Sequence, residues 1–261
     1  MEKLLTEFFE NEKIKYYSCL DVDECTLLYP RKLPAFTKSV CFFLMPYFTA
    51  DKKERNVSLY AVPRDYHLYV KELEKRLLER IKASGKDTEV SVFSDNSPFS
   101  ERICAEKANL GIIGKNRLLI NSEYGSYTFI GSICISHNIS ISHLPENFKC
   151  DICGICEKCK TACPYMSGET GSCLSELTQK KNLSDEEMRI LSTLKVRWGC
   201  DICQSVCPKN KSVSETLIEF FKKQRIERVT AEQIRQMTDE EFSERAYSWR
   251  GKNIILRNLN I

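Results

Sequence analysis

The chain has 261 residues, with 39 Lys or Arg against 36 Asp or Glu, and 14 cysteines. That length can bury one large core and still supply a small second domain, and no apolar run approaches the ~18 residues needed to span a bilayer. The charge balance excludes a uniformly polyanion-binding surface, so any nucleic-acid site has to be a local patch.

The opening stretch MEKLLTEFFENEKI mixes acidic and apolar groups without a basic start or a small-residue cleavage site. No export is expected, the chain should be soluble and cytoplasmic, and its first element should be a helix over about 2–16. Ser39–Pro46 is an apolar run of strand length and reads as a buried strand. Tyr66, Val70, Leu73, Leu77 and Ile81 recur at three and four residues, which predicts a core-facing amphipathic helix over about 67–84. A second strand follows at 89–93, a turn at Asp95-Asn-Ser-Pro98, and a helix at 101–109 stopped by Gly111. Two further strands, 117–120 and 127–134, complete a mixed α/β domain.

After Pro145 the chain becomes cysteine-rich. Cys153, Cys156, Cys159 and Cys163-Pro164 give CxxCxxCxxxCP, and a second, incomplete copy runs through Cys200, Cys203 and Cys207-Pro208, with Arg197 where its first cysteine would stand. In ferredoxin-type pairs three closely spaced cysteines hold one cubane, while the cysteine before proline crosses to the other. Cluster one is therefore assigned Cys153, Cys156, Cys159 and Cys207. Cluster two takes Cys163, Cys200, Cys203 and Cys173, the nearest unassigned cysteine of the insert. Cys150 is left spare. Paired zinc sites are the bland alternative, since CxxC also binds zinc, but zinc needs no CxxxCP ending. In a reducing compartment the remaining Cys19, Cys25, Cys41, Cys104 and Cys134 are buried thiols. Each all-cysteine cluster adds about two negative charges, bringing the formal +3 near zero. Between the motifs, Ser184 with Glu187 predicts a capped helix over 184–194. Beyond Pro208, helices are predicted at 214–223 and at 230–246, the latter capped by Thr230.

Read from residues alone, several positions stay open. Asp95 is either a turn residue capping the helix after Pro98 or an acid. Glu101, in a helix's first turn, reads as a surface residue complementing the dipole, and ranks second as a proton donor. The glycines of Gly111-Ile-Ile-Gly-Lys-Asn116 either allow a large ligand to approach the backbone or make an ordinary turn; the spacing is not that of a phosphate-binding P-loop. His67 is a polar contact to a ligand or a helix cap, and His137 and His143 read as loop residues. Arg197 either tunes cluster two or is a surface charge above a packed Trp198. Arg245, Arg250, Lys252 and Arg257 with Trp249 are an RNA-contacting segment or a solvated helix face.

Taken in order, Arg64-Asp-Tyr-His67, Asp95-Asn-Ser-Pro98-Phe-Ser-Glu-Arg102, Ala108-Asn-Leu-Gly-Ile-Ile-Gly-Lys-Asn116, Gly131-Ser-Ile, Cys173-Leu-Ser-Glu-Leu-Thr178 and Gly199 through Pro208 resemble the epoxyqueuosine reductase family. Thr238-Asp-Glu-Glu-Phe-Ser-Glu-Arg245 and Leu256-Arg-Asn258 agree, so the resemblance covers most of the chain. It implies an α+β architecture: a nitroreductase-like α/β cobalamin-binding and catalytic domain over 1–145, a ferredoxin-like double 4Fe-4S domain over 146–212, and a helical segment over 213–261. It implies two 4Fe-4S clusters and cobalamin as cofactors, reduction of epoxyqueuosine in tRNA to queuosine, and kinship with reductive dehalogenases. Asp95 matches the family's catalytic aspartate, and an Asp buried beside the corrin would hold a proton. His67, Gly114, Lys115 and Asn116 would contact cofactor or tRNA. An external low-potential donor such as ferredoxin or flavodoxin is expected, acting on a monomer. The chain departs from the family at Ile112 and Ile113, where tryptophan is usual, and at Pro63, where glycine is common. Longer members continue into helical repeats, so a short form is expected here. Competing readings are a corrinoid-dependent reductase of a small molecule and a two-cluster electron carrier without cobalamin.

Overall fold

The computed structural model describes residues 1–50, 54–144, 153–165 and 173–261. The chain forms two compact units, neither of which is one continuous stretch. Residues 1–48, 67–155 and 209–218 make the first, and 49–66, 156–208 and 219–261 the second. The expected cuts near 145 and 212 do not coincide with these boundaries.

The first unit is built on a five-stranded sheet of order β3-β6-β2-β1-β7. Its strands are β1 (Tyr17–Asp21), β2 (Ser39–Pro46), β3 (Val90–Phe93), β6 (Thr128–Ile135) and β7 (Ser142–His143); β4 (Ile112–Ile113) and β5 (Leu119–Ile120) form a separate hairpin. Every neighbouring pair in the larger sheet is antiparallel. β2 lies at its centre and is buried along its whole length, as its apolar run predicts, because a strand covered on both faces needs no polar alternation.

Alternate β2 side chains face different helices. Val40, Phe42 and Leu44 join a core with Cys104 and Ala105 of helix α3 (Glu101–Lys107) and with Ala108 just beyond it. On the opposite face, Phe43 meets Phe9 of α1 (Glu2–Asn11), which also stacks on Tyr17. Helix α2 (Tyr66–Ala83) buries Tyr69, Val70, Leu73, Leu77 and Ile81, the predicted stripe with Tyr69 in place of the half-exposed Tyr66. Arg76 and Arg80 of α2 pair with Glu12 and Glu7. At Gly131 a Cβ would lie 2.2 Å from the Phe43 ring, so β2 and β6 pair closely here only because that position is glycine.

The second unit has two small cores. One gathers Val57, Val62, Trp198, Ile234, Phe242, Tyr247 and Ile255; the other packs Cys163, Leu174 and Leu177 with Ile190 and Ile202. Its helices are short: α4 (Lys158–Ala162), α5 (Leu174–Gln179), α6 (Asp185–Thr193), α7 (Ile202–Ser205), α8 (Ala231–Gln236), α9 (Asp239–Ser243) and α10 (Lys252–Leu259). The predicted capping box at Ser184 is present, and the cap predicted at Thr230 is present as a capping box with Gln233.

Several predicted elements are corrected. The opening helix ends at Asn11, and the strand placed at 117–120 holds only Leu119–Ile120. No helix spans 214–223: Ser214 and Thr216 donate their N–H groups to the carbonyls of Glu123 and Phe48, which takes the chain out of helical pairing, and only a 3-10 turn at Glu219–Lys222 remains. The helix predicted over 230–246 is divided, because Thr238 starts a new capping box with Glu241. Strand β1 and helices α5 and α10 carried no sequence prediction. Among the described residues, no helix is long and apolar enough to cross a membrane.

Candidate active site and cluster-binding cysteines

β3 delivers the chain to a tight loop at Ser94–Pro98. Ser94 Oγ donates to the Ile130 carbonyl at 2.7 Å, Asn96 N–H donates back to Ser94 O at 2.8 Å, and Ser97 N–H donates to Asp95 O at 2.9 Å. The Pro98 carbonyl accepts from the main chain of both Leu28 and Tyr29. This bonding holds Asp95 at φ 63°, the left-handed region that side chains other than Gly, Asn and Asp seldom occupy. Asp95 is exposed at the tip of this loop.

The withdrawn carboxylate is Glu101. The chain reading placed it on the surface, but in the first turn of α3 beside the Asp95 loop it is half-buried. Its Oε1 is buried and has no hydrogen-bond partner. Burial pushes the carboxyl up to about 7; the charge of Asp95 raises it further, while the Ser97 hydroxyl, the Asp95 main chain and His67 pull the other way. His67, the second residue of α2, is thus brought to Glu101 by the fold.

The hairpin tip has a different reason for its glycines. A Cβ on Gly111 would lie 2.6 Å from Leu119 Cγ, and one on Gly114 would lie 2.5 Å from Ile120 Cδ1. Both glycines therefore make room for the hairpin's own side chains. Lys115 is tied to the first cysteine loop: its N–H donates to Cys153 Sγ at 3.4 Å, and its Nζ to Gly154 O at 2.8 Å. Asn116 is buried; its Oδ1 accepts from Leu118 N–H at 3.2 Å, while Nδ2 has no partner.

In the second unit, thiols from three separate stretches converge. Cys200 feels the charges of Cys173 and Cys163, and Cys203 those of Cys200, Cys173, Cys163 and Cys159. Burial, the larger cause, together with these neighbours pushes Cys200 up to about 11 and Cys203 up to about 12. The four residues assigned to cluster two thus lie within electrostatic reach of one another, together with Cys159. None of the described cysteines forms a disulfide: Cys153, Cys156, Cys159, Cys200, Cys203 and Cys207 are half-buried, Cys163 buried and Cys173 exposed. Metal binding has to displace their protons. Among the described residues no three Cys, His, Asp or Glu side chains enclose a single ion; a cubane's thiolates each bind a different iron and are spread more widely. Cys150 lies outside the described residues.

Asp201, between two of these cysteines, was not singled out by its sequence. It accepts from the Ser58 hydroxyl, from Leu59 N–H at 2.8 Å, and pairs with Arg55 at 3.5 Å. Gly199, at φ 70°, passes so close to Ser58 that a Cβ would lie 2.5 Å away. The neighbouring Arg197 bonds the Leu191 carbonyl at the end of α6, and Trp198 is fully buried.

Three of the four tail cations are structural. Arg245 is buried and donates to the carbonyls of Gln224 and Val62, Lys252 donates to Met237 O, and Arg257 donates to the carbonyls of Lys180 and Lys181. Arg250 instead lies over the exposed Trp249 ring at 3.9 Å.

Residues 28–96 match the family described as epoxyqueuosine reductase QueG, DUF1730, and residues 152–210 match the 4Fe-4S double cluster binding domain. Over 227 residues the chain is 30% identical to the epoxyqueuosine reductase of Gloeobacter violaceus, covering 80% of this chain and 69% of that protein. It is 31% identical over 205 residues to that of Staphylococcus aureus, covering 75% and 53%. A solved epoxyqueuosine reductase with a tRNA-Tyr epoxyqueuosine-modified stem loop shares the fold at a TM-score of 0.78 and 23% identity, over 98% of this chain and 80% of that one. The enzyme from Streptococcus thermophilus does so at 0.76 and 24%, over 99% and 80%. The chain spans about half to two-thirds of the length of the curated relatives it matches.

Proposed function

Because the chain belongs to the epoxyqueuosine reductase family, we propose that it reduces the epoxide of epoxyqueuosine in tRNA to the alkene of queuosine. The overall step takes two electrons and two protons and releases the oxygen as water. Two bound 4Fe-4S clusters would supply low-potential electrons one at a time, and bound cobalamin the chemistry of a two-electron reductant.

The observation that carries the reading is the convergence of Cys159, Cys163, Cys173, Cys200 and Cys203 in a segment matching the double-cluster domain; Cys163, Cys173, Cys200 and Cys203 are the proposed ligands of one cubane. Cys153, Cys156, Cys159 and Cys207 are the proposed ligands of the other. The Lys115 N–H on Cys153 Sγ is a bond of the kind that raises a cluster's potential by stabilising charge on sulfur.

The first unit is the proposed cobalamin-binding and catalytic body, with nitroreductase-like layout, and the cysteine-rich segment the ferredoxin-like one. The buried, unpartnered Nδ2 of Asn116 suits a carboxamide-rich corrin, with Gly114 and His67 also proposed to border it. Asp95 is the proposed acid: covered by bound cobalamin, its carboxyl would keep the proton that it gives to the departing oxygen. Arg250 stacked on Trp249 is the part of the basic tail free to meet an RNA backbone. The proposed setting is a cytoplasmic monomer served by an external donor such as ferredoxin or flavodoxin.

The test is anaerobic reconstitution with iron, sulfide and cobalamin, followed by turnover on epoxyqueuosine-modified tRNA stem loop. About eight iron per chain, retained cobalamin, and turnover lost in Asp95→Asn are expected. Full iron without cobalamin binding would leave an electron carrier.

A further inference from the structure

Cys19, Cys25, Cys41, Cys104 and Cys134 lie outside the cluster motifs, and the sheet divides them. Cys134 of β6 stands opposite Val40; with Cys104 it belongs to the core on the Val40 face, against which Cys25 packs. Cys41 follows Val40 in β2, so its side chain points to the other face. Its cross-strand partner there is Cys19 of β1.

The surrounding hydrogen bonds show which kind of pair this is. Leu44 N–H donates to Tyr16 O at 2.9 Å and Val22 N–H to Lys38 O at 3.0 Å, while Cys19 N–H turns away from β2 to the Ile141 carbonyl at 3.0 Å. Even-numbered residues along β1 therefore bond β2. Cys19 and Cys41 form a non-hydrogen-bonded pair, the closer of the two kinds, with Cα atoms ~4.5 Å apart. That separation lies within the range a disulfide spans, about 4.4–6.8 Å. Cys41 is fully buried and Cys19 half-buried, so Cys19 is the one of the two that solvent reaches.

We propose that Cys19 and Cys41 form a reversible thiol-oxidation site, in which a low-molecular-weight disulfide reacts at Cys19 and Cys41 then completes a cross-strand bridge. In the first step the Cys19 thiolate attacks one sulfur of the small disulfide, giving a mixed disulfide and releasing one small thiol. In the second, Cys41 gives up its proton and attacks the Cys19 sulfur, releasing the other. The protein loses two electrons and two protons, and the small disulfide gains them. Burial, and then the neighbouring Cys19 thiol, hold the Cys41 thiol well above its ordinary value, which suits the resolving group and not the entering one. The bridge would close residues 19–41 into a ring. That ring contains Leu28 and Tyr29, whose N–H groups both donate to the Pro98 carbonyl at the end of the Asp95 loop.

The experiment incubates the full reconstituted chain anaerobically with oxidised glutathione, quenches it with excess N-ethylmaleimide in denaturant, and maps the peptides by mass spectrometry. The wild type should yield a Cys19–Cys41 link that dithiothreitol removes. Cys41→Ser should halt with glutathione on Cys19, and Cys19→Ser, at the half-buried position, should leave Cys41 unreacted. Cys25→Ser should still form the link. Glutathione remaining on Cys19 in the wild type, a link from Cys19 to Cys25, or both Cys19 and Cys41 staying free would overturn the proposal. So would an equal yield of the Cys19–Cys41 link from the chain unfolded in urea, since the pairing would then owe nothing to the strand register.

Discussion

Asp201 and Glu101 are carboxylates withdrawn from water, one in each unit, and their surroundings treat them in opposite ways. Asp201 is surrounded by donors: Ser58, the Leu59 N–H and Arg55. Glu101 has one oxygen with no partner. Burial raises both groups above the ordinary carboxylate range, so burial alone does not tell them apart. A carboxylate whose lone pairs are filled works as a clasp, here joining the cysteine loop at 200–203 to residues 58–59. One left partly unfilled is poised between charge states.

The largest effect should come from opening the clasp. Asp201→Ala leaves the Ser58 hydroxyl, the Leu59 N–H and Arg55 without their shared acceptor. We expect a loss of about 2–4 kcal/mol, together with reduced iron retention, read by chemical denaturation and iron analysis of the reconstituted protein. A loss below about 1 kcal/mol would erase the distinction between the two carboxylates.

Glu101→Gln should move stability the other way. The native carboxyl titrates at about 7 against an ordinary 4.5, so the folded state holds its proton more tightly than the unfolded one. That contribution is fully present below pH 4.5 and is lost as pH rises through 7. The variant lacks this dependence. It should match the wild type near pH 4.5 and exceed it above pH 7 by on the order of 2 kcal/mol, measured by urea unfolding at the two pH values.

The sequence made some of this legible and hid the rest for definite reasons. The cysteine spacing speaks directly because ligand geometry constrains neighbouring residues, whereas Cys173, assigned by elimination, lies near Cys159 of the other set as well as near Cys163, Cys200 and Cys203. The β2 run and the α2 stripe were readable because burial repeats with the period of the element. The partial burial of Glu101 left no local mark: its position in the first turn of α3 suits a solvated side chain, and the fold alone sets the Asp95 loop beside it. The capping box of Thr238 with Glu241 was available in the sequence, and would have divided the helix placed over 230–246. Residues 214–216 could not have been read correctly, since their N–H groups go to Glu123 and Phe48, far away in sequence.

The smallest effect tests whether a side chain or the backbone supports Cys153. Lys115 offers both: its N–H meets Cys153 Sγ, while its exposed Nζ reaches the Gly154 carbonyl. Lys115→Met removes only the second bond, and its long apolar stem keeps the packing of the lysine chain. An exposed bond of this kind contributes about 0.5–1 kcal/mol, so stability should fall by no more than that. Iron content should stay at about eight per chain if the cluster is held by thiolates with a backbone donor beside one of them. A fall to about four would mean that the lysine side chain, like Asp201, is a clasp whose loss costs a cluster. The hairpin tip would then belong with the satisfied groups of the molecule, and its unpartnered Asn116 Nδ2 would stand out as the group left open for a ligand.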